Sequence, residues 1–250
     1  MREDSAPADI SIWKEALFGA ELLLLHASPA YYGLGIPRGD GSGVIVIPGF
    51  LGSDFYLSHL HAWLGRIGYR PYLSGIGLNA ECPNLLIRHR LMETMGKALR
   101  ETRGRKLHLI GHSLGGIIAR SVAAQFADKV ASVTTLGSPF RGTVAHHSVL
   151  RAAATIRNHI LQQHGPAVLP DCYTARCMCD FVCSLKTEIS GAVDQTAIFT
   201  KDDGVVDWRY CITGDSDIDF EVPGTHIGLV YNASVYNVVA TRLAAARSRQ

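Results

Sequence analysis

The stretch that decides the fold is residues 106–127, which read KLHLIGHSLGGIIARSVAAQFA. Its first five residues form a short apolar run typical of a buried strand, and the residues from Leu114 onward have helical spacing. A G-x-S-x-G turn joins the two, with Ser113 at its centre. A strand, this turn and a helix in succession predict a strained bend that lifts the serine oxygen above the edge of a sheet. We therefore predict that Ser113 is a nucleophile and not merely the N-cap of a helix.

Short apolar runs and helical patterns continue to alternate on both sides of that stretch. The predicted strands are residues 44–47, 69–73, 106–110, 130–136, 196–200 and 218–222, and the predicted helices are residues 56–67, 85–101, 114–127, 149–163 and 234–246. This alternation indicates the α/β class, with a mostly parallel sheet and helices on both faces. It stops at residues 140–193, which we interpret as a small cap-like insertion. We expect a single domain over residues 1–250, with a helical extension at residues 1–38.

The N-terminal extension has the pattern of an amphipathic helix. Trp13, Leu17, Ala20 and Leu24 fall on one helical face, and we expect that face to pack on the domain. Weak contact with a membrane surface is the alternative. Acidic residues precede and interrupt the apolar run, so the segment resembles neither a signal peptide nor a membrane span. The sequence therefore favours a cytoplasmic location.

The bulk composition excludes one class of partner. The 250 residues are 47% apolar and 18% charged, with a formal net charge of +2. Such a chain is long enough to bury one large core, but it carries no basic stripe or tail for a nucleic acid. We expect no nucleic acid partner, and the oligomeric state stays open.

A serine nucleophile needs an adjacent base, usually a histidine that a carboxylate orients. After a turn of this type, the acid and then the histidine follow along the chain. The histidines downstream of Ser113 are His146, His147, His159, His164 and His226. The first four fall in or beside the insertion, whereas His226 follows a later strand, where parallel strands gather ligand groups. We predict that His226 is the base.

The acid is predicted within TKDDGVVD, residues 200–207, which directly follow a strand. Asp203 precedes a glycine that turns the chain, so its carboxylate can point back across the sheet edge toward His226. Asp202 and Asp207 are the competing candidates, and each could instead be a solvated charge or a helix cap. We predict that Asp203 is the acid.

An oxyanion hole requires two backbone N–H groups aimed at the developing negative charge. Leu114, directly after the nucleophile, is predicted to supply one of them. The other is expected from PGFLGS, residues 48–53, because glycine lets the backbone approach a substrate. Phe50 is the first candidate there and Leu51 the second. We interpret His112 as a structural hydrogen-bonding residue and not as a second base.

Four of the six cysteines crowd into one segment with the spacing C-x4-C-x-C-x3-C. That segment holds Cys172, Cys177, Cys179 and Cys183, Cys211 follows it, and Cys82 stands alone. The spacing differs from the paired C-x2-C clusters of zinc ribbons and fingers. A disulfide, packed thiols and a metal site all stay open, and no metal ligand is assigned.

Taken together, these residues resemble the α/β-hydrolase family, and within it the small bacterial lipases and esterases. The resemblance runs from Val44 to the last helix and rests on GHSLGG at 111–116, DDGVV at 202–206 and THIGLVYNASVYNVV from Thr225. Small lipases carry a similar histidine-isoleucine-glycine-leucine turn, which implies His226 as base and Asp203 as acid. Their first oxyanion loop is often histidine-glycine, whereas this chain has Pro48-Gly49. The resemblance implies no cofactor.

The sequence therefore predicts a serine hydrolase that cleaves a small-molecule or lipid carboxylic ester through an acyl-enzyme. Apolar residues in the oxyanion loop and the insertion suit an acyl chain. An acyltransferase or an amide hydrolase could use the same residues, because the fold and the triad fix neither the acceptor nor the leaving group. A binding protein that uses the pocket without catalysis is the third hypothesis.

Overall fold

Six parallel strands form the central sheet of the computed structural model, which describes residues 6–8, 10–142, 144–165, 172 and 177–247. In chain order the strands are β1 (Ala6–Pro7), β2 (Gly43–Ile47), β3 (Arg70–Leu73), β4 (Leu107–His112), β5 (Val130–Leu136), β6 (Val144–Ala145), β7 (Asp194–Phe199) and β8 (Asp219–Glu221). The central sheet has the order β3-β2-β4-β5-β7-β8, and each neighbouring pair runs parallel. Strands β1 and β6 form a separate parallel pair.

Helices connect these strands and cover both faces of the sheet. They are α1 (Phe18–Ala27), α2 (Ser58–Arg66), α3 (Pro83–Leu86), α4 (Met92–Glu101), α5 (Leu114–Gln125), α6 (His147–His164), α7 (Asp180–Ser184) and α8 (Ala233–Arg247). A π-helical turn, Ile87–Leu91, joins α3 to α4, and a 3-10 helix, Ile12–Leu17, leads into α1. The predicted α/β class is confirmed, and the sheet is wholly parallel where the sequence indicated a mostly parallel one.

Apolar and polar residues do not alternate along the predicted strands, because both faces of the sheet are buried. All five residues of β2 are buried. Val44 and Val46 belong to a core cluster with Trp63 of α2, whereas Ile45 and Ile47 belong to the cluster on the opposite face, which includes α4 and α5. Successive side chains of a strand point to opposite faces, so both sets must be apolar when helices cover both sides.

The parallel arrangement gathers the predicted functional residues at one edge of the sheet. Phe50, Ser113, Asp203 and His226 follow β2, β4, β7 and β8 respectively. The carboxyl ends of parallel strands share one edge, where open α/β sheets bind their ligands. Residues separated by 176 positions of sequence are thus brought to the same end of the domain.

The N-terminal helix docks on the domain through the opposite face from the one predicted. Trp13, Leu17 and Leu24 are 69%, 52% and 69% exposed, whereas Glu15 and Leu25 are buried. The predicted packing face was therefore wrong. The reason is that a buried carboxylate with enough backbone N–H partners can anchor a helix, which an apolar periodicity does not reveal. Within the described residues, no helix has the combination of length and apolarity that spanning a bilayer requires.

The described part of residues 140–193 contains β6, α6 and α7. The predicted helix at 149–163 is confirmed by α6, and α7 is an element that the sequence did not indicate. Residues 143, 166–171 and 173–176 of this insertion lie outside the described residues. The interpretation of the whole insertion as a cap stays a prediction.

Candidate active site

Ser113 occupies a backbone conformation that few non-glycine residues adopt. Its φ is 53° and its ψ is −124°, and it forms the N-cap of α5. A conformation of this kind costs on the order of 1–3 kcal/mol and persists only where its surroundings enforce it. Here a Cβ on Gly111 would lie 2.2 Å from the carbonyl oxygen of Gly115, and a Cβ on Gly115 would lie 2.3 Å from that of Ile47. The two glycines let α5 pack close enough to β4 and β2 to enforce the turn.

A cavity of about 470 Å³ opens in front of this turn. Ser113 and His226 both line it, and most of its remaining wall is apolar. Val149 and Ala152 of α6 contribute to that wall, so the insertion covers part of the cavity. The structure therefore brings the predicted nucleophile and the predicted base to one pocket of the size that small-molecule ligands occupy.

His226 is held by a buried carboxylate. Its Nδ1 lies 2.6 Å from Oδ2 of Asp203, and the two side chains are 3% and 1% exposed. The backbone N–H groups of Val205 and Val206 donate to Oδ1 of the same carboxylate at 2.9 and 2.7 Å. A carboxylate accepts only, so Nδ1 carries the hydrogen and Nε2 is the nitrogen that remains for a serine hydroxyl.

The two competing aspartates have other partners. Asp202 is mostly exposed and pairs with Lys14 at 2.7 Å. Asp207 accepts from the backbone N–H of Arg209 and caps a 3-10 helix, Trp208–Tyr210. Of the three candidates, the structure thus places Asp203 against the imidazole.

The pKa of His226 is set by opposing effects. Burial lowers it, but the charge of Asp203, the hydrogen bond to that carboxylate and the charge of Glu15 together outweigh burial. The pKa of His226 consequently lies above its usual value of 6.5. An imidazole with a raised pKa is a stronger proton acceptor, and its charged form is well stabilised once it has taken a proton.

Two glutamates of the N-terminal helix support this site, and the sequence analysis missed both. Glu15 accepts from the backbone N–H groups of Gly204, His226 and Ile227 at 2.9, 3.1 and 2.7 Å. Glu21 accepts from the backbone N–H and the hydroxyl of Thr225 at 2.8 and 2.7 Å. No local pattern links these residues to amides about two hundred positions away. The available signal was an acidic residue inside an otherwise apolar helix.

The predicted oxyanion loop lies directly above the nucleophile. A Cβ on Gly49 would lie 2.9 Å from Cβ of Ser113, so only glycine permits this approach. The backbone N–H of Gly49 donates to Tyr56 Oη at 2.8 Å, and that of Leu51 donates to the carbonyl of Asn79 at 2.9 Å. Phe50 lies between them and lines the cavity.

His112 links the oxyanion loop to the histidine loop. Its Nε2 lies 2.9 Å from the carbonyl oxygen of His226, and its Nδ1 lies 2.7 Å from Tyr56 Oη. Burial and the neighbouring His226 lower the pKa of His112 to about 3, so the ring is neutral. A carbonyl only accepts, so Nε2 carries the hydrogen and Nδ1 accepts from Tyr56, whose oxygen accepts in turn from Gly49. His112 thus has two structural partners, in keeping with its predicted role.

Comparison with known proteins shows which fold this chain has. A family model described as the α/β hydrolase fold matches residues 89–177, which include Ser113 and α5. A metagenome-derived lipolytic enzyme of solved structure superposes with a TM-score of 0.57, over 85% of this chain and 96% of that chain, at 16% identity. The chain has the α/β-hydrolase fold. A lipase-esterase related protein from Clostridium acetobutylicum gives a TM-score of 0.54 over 84% of this chain and 97% of that chain, at 17% identity.

Two curated relatives resemble part of this chain in sequence. A triacylglycerol lipase of Burkholderia plantarii is 32% identical over 134 residues, which are 51% of this chain and 37% of the lipase. A triacylglycerol lipase of Pseudarthrobacter phenanthrenivorans is 33% identical over 107 residues, 40% of this chain and 34% of the lipase. The chain therefore matches little more than a third of the length of these relatives. The chain resembles bacterial lipases and esterases, as the sequence predicted.

Proposed function

We propose that this chain is a serine hydrolase that cleaves carboxylic esters, with Ser113, His226 and Asp203 as nucleophile, base and acid. One observation carries the proposal: the buried 2.6 Å contact between His226 and Asp203 lies at the wall of the cavity that also holds the strained turn of Ser113. The likeness to triacylglycerol lipases supports an ester as the substrate.

Acylation begins when Ser113 Oγ attacks the carbonyl carbon of the ester. The hydroxyl proton passes to Nε2 of His226, and the electron pair of the carbonyl double bond moves onto the oxygen. Asp203 keeps the imidazole in the correct tautomer and stabilises the imidazolium. The tetrahedral intermediate then expels the alkoxide, which takes the proton from His226 and leaves as an alcohol. The acyl group stays on Ser113.

Deacylation repeats these steps with water as the nucleophile. His226 takes a proton from the water while its oxygen attacks the acyl carbon. The second tetrahedral intermediate expels Ser113 Oγ, to which His226 returns the proton. The carboxylic acid product leaves, and these steps use no external cofactor.

The oxyanion is proposed to bind two backbone amides. Leu114 opens α5 directly after the nucleophile, so its N–H lies at the positive end of the helix dipole. In the opposite loop, a Cβ on Gly49 would lie 2.9 Å from Cβ of Ser113, so the backbone there runs close to the nucleophile. We propose that the second donor is Phe50, which follows Gly49 and lines the cavity.

The wall of the cavity favours an apolar acyl group. Phe50, Leu51, Val149, Val205 and Ile227 all contribute to it. Each methylene that moves from water into such a wall contributes about 0.8 kcal/mol, or roughly a fourfold change in an equilibrium constant. Because α6 supplies part of the wall, we propose that the insertion acts as a cap over the acyl chain.

The exposed face of the N-terminal helix is proposed to meet the surface of aggregated lipid. Trp13, Leu17 and Leu24 of this face are more than half exposed, and Phe18 of the same helical segment lines the cavity. A helix with large apolar side chains on its open face can lie against a lipid surface. This position would present the mouth of the cavity to lipid esters.

A series of p-nitrophenyl esters tests the proposed function. We expect kcat/KM to rise from acetate through esters of medium chain length, by up to about fourfold for each added methylene that the cavity buries. Ser113→Ala should remove this turnover while leaving the far-ultraviolet circular dichroism spectrum unchanged. A purified, folded protein without Ser113-dependent turnover of any ester in the series would contradict the proposal.

A further inference from the structure

A group of cysteines gathers outside the cavity, where the function proposed above gives it no role. The Sγ atoms of Cys172, Cys177 and Cys179 all lie within 4.8 Å of one another. Cys82, about ninety residues earlier in the chain, places its Sγ 3.7 Å from that of Cys172. Cys172 and Cys179 are 3.4 Å apart at sulfur. Cys82 is not a member of the group of three, so its Sγ lies more than 4.8 Å from at least one of the sulfurs of Cys177 and Cys179. We call these four cysteines the thiol cluster.

Two of the sulfur separations in the thiol cluster suit metal coordination. A tetrahedral zinc ion with four sulfur ligands at about 2.3 Å holds neighbouring sulfurs about 3.8 Å apart. A disulfide bond requires about 2.05 Å between the two sulfurs and uses only two of them. The observed separations of 3.4 and 3.7 Å are close to the edges of such a tetrahedron.

The thiol cluster is mostly buried and borders the apolar core. Cys82, Cys172 and Cys177 are buried, and Cys179 is half-buried. Phe181 and Leu86 belong to the same core cluster as the buried thiols. None of the four cysteines is among the residues that line the cavity of Ser113. A buried site whose four ligands all come from the protein is typical of structural zinc, whereas a catalytic zinc keeps a position open.

Two short helices begin directly after two of these cysteines. Cys82 is the N-cap of α3 and Cys179 is the N-cap of α7. The two helices are also joined directly, since the backbone N–H of Phe181 donates to Asn84 Oδ1 at 3.2 Å.

We propose that Cys82, Cys172, Cys177 and Cys179 bind one Zn²⁺ ion in a tetrathiolate site. The side chain of Cys82 completes the site by moving toward the other sulfurs as the ion enters. Each ligand binds as a thiolate, so four thiols release four protons to solvent as the ion enters, and no oxidation takes place. Cys82 belongs to the main domain and the other three belong to the insertion. The ion therefore fastens the insertion, which also covers the cavity, to the loop ahead of α3.

Metal analysis of the purified protein tests this site directly. The full chain, produced with zinc in the medium and desalted, is expected to retain about one zinc ion per chain by plasma mass spectrometry. Cys172→Ser and Cys177→Ser should lose most of it. Cys183→Ser is the matched control, because Cys183 lies one turn beyond Cys179 on α7 but outside the group of three. It should retain the wild-type zinc content.

Two further readouts on the wild-type chain keep the test independent of variants that fail to fold. Exchange of zinc for cobalt should give the strong visible absorption of tetrahedral Co²⁺ with a sulfur-to-metal charge-transfer band. Alkylation of the denatured, chelated protein without reductant should label all six cysteines. Absence of stoichiometric zinc, or a disulfide linking any two of the four cysteines, would overturn the proposal. Neither result would bear on Ser113, since ester hydrolysis is measured separately.

Discussion

The carboxylate of Glu15 accepts a hydrogen bond from the backbone N–H of His226 at 3.1 Å, although 211 positions separate the two residues. The same carboxylate accepts from Gly204 in the loop of the proposed acid and from Ile227. The N-terminal helical segment thus fixes the acid and base loops relative to each other. It also places a negative charge close to the imidazole.

Glu15→Gln should lower the pKa that limits activity on the acid side. The charge of Glu15 helps to raise the pKa of His226, so its removal should move the acid limb of kcat/KM to lower pH. The amide nitrogen of glutamine cannot accept, so one backbone N–H loses its partner and the free energy of unfolding should fall by roughly 1.5–3 kcal/mol. A pH–rate profile and a denaturant titration measure the two effects.

Glu21→Gln is the matched control for that experiment. Glu21 also accepts from a backbone N–H in the histidine loop, but it is not among the groups that shift the pKa of His226. The variant should lose stability while its acid limb stays at the wild-type pH. Equal shifts in both variants would show that the charge of Glu15 is not the cause.

Asp203→Asn should abolish most of the turnover. An asparagine amide facing Nδ1 would favour the tautomer with the hydrogen on Nε2, which cannot accept a proton from Ser113, and we expect kcat to fall by about 10⁴-fold. In the wild type, activity should fall as the pH drops through the pKa of His226, which lies above 6.5, because the protonated ring is no base. Steady-state kinetics from pH 5 to 9 measure both.

Asp202→Asn provides the comparison for Asp203. Its carboxylate is exposed and pairs with Lys14 at the surface, where such ion pairs contribute about 0–1 kcal/mol. Turnover should stay within about twofold of the wild type. A larger loss in Asp202→Asn than in Asp203→Asn would contradict the assignment of the acid.

Tyr56→Phe should loosen the oxyanion loop. The hydroxyl of Tyr56 accepts from Gly49 and donates to His112, and its removal leaves both partners unsatisfied at a cost of about 1–3 kcal/mol each. We expect kcat to fall more than KM rises, because the loop is proposed to act on the transition state. Tyr32→Phe, at a half-exposed tyrosine away from the cavity, should leave kcat unchanged.

The combined substitution Trp13→Ser and Leu24→Ser should lower turnover of aggregated substrates but not of soluble ones. Both side chains are 69% exposed on the face that we propose meets lipid. Turnover of an emulsified long-chain ester should fall severalfold, whereas turnover of a dissolved short-chain ester should not change. Leu161→Ser, on an exposed position of α6, should affect neither substrate. Equal losses on both substrates would contradict lipid contact.

The sequence predicts those parts of the molecule that short-range patterns specify. Strand β2 can be recognised in the sequence as an uninterrupted apolar run, because helices cover both of its faces. The turn at Ser113 can be recognised from its G-x-S-x-G pattern, because close backbone contacts with adjacent elements require these glycines. The predicted roles of Asp203 and His226 as acid and base rest on their order along the chain and on their position after strands.

The remaining features depend on contacts between distant residues. Apolar periodicity assigned the wrong packing face to the N-terminal helix, because Glu15 and Glu21 dock through backbone amides of the histidine and acid loops. Cys82 joins the other thiols only because α3 and α7 pack together. Such pairings are set by the tertiary fold, which no local window of sequence contains.

Covalent labelling tests the central claim most directly. We expect a fluorophosphonate probe to add one adduct to the wild-type chain, located at Ser113 by peptide mass spectrometry, and none to Ser113→Ala. His226→Ala should slow the labelling by orders of magnitude, because the hydroxyl loses its base. A folded wild-type chain that stays unlabelled, or that carries the adduct at another residue, would contradict the account.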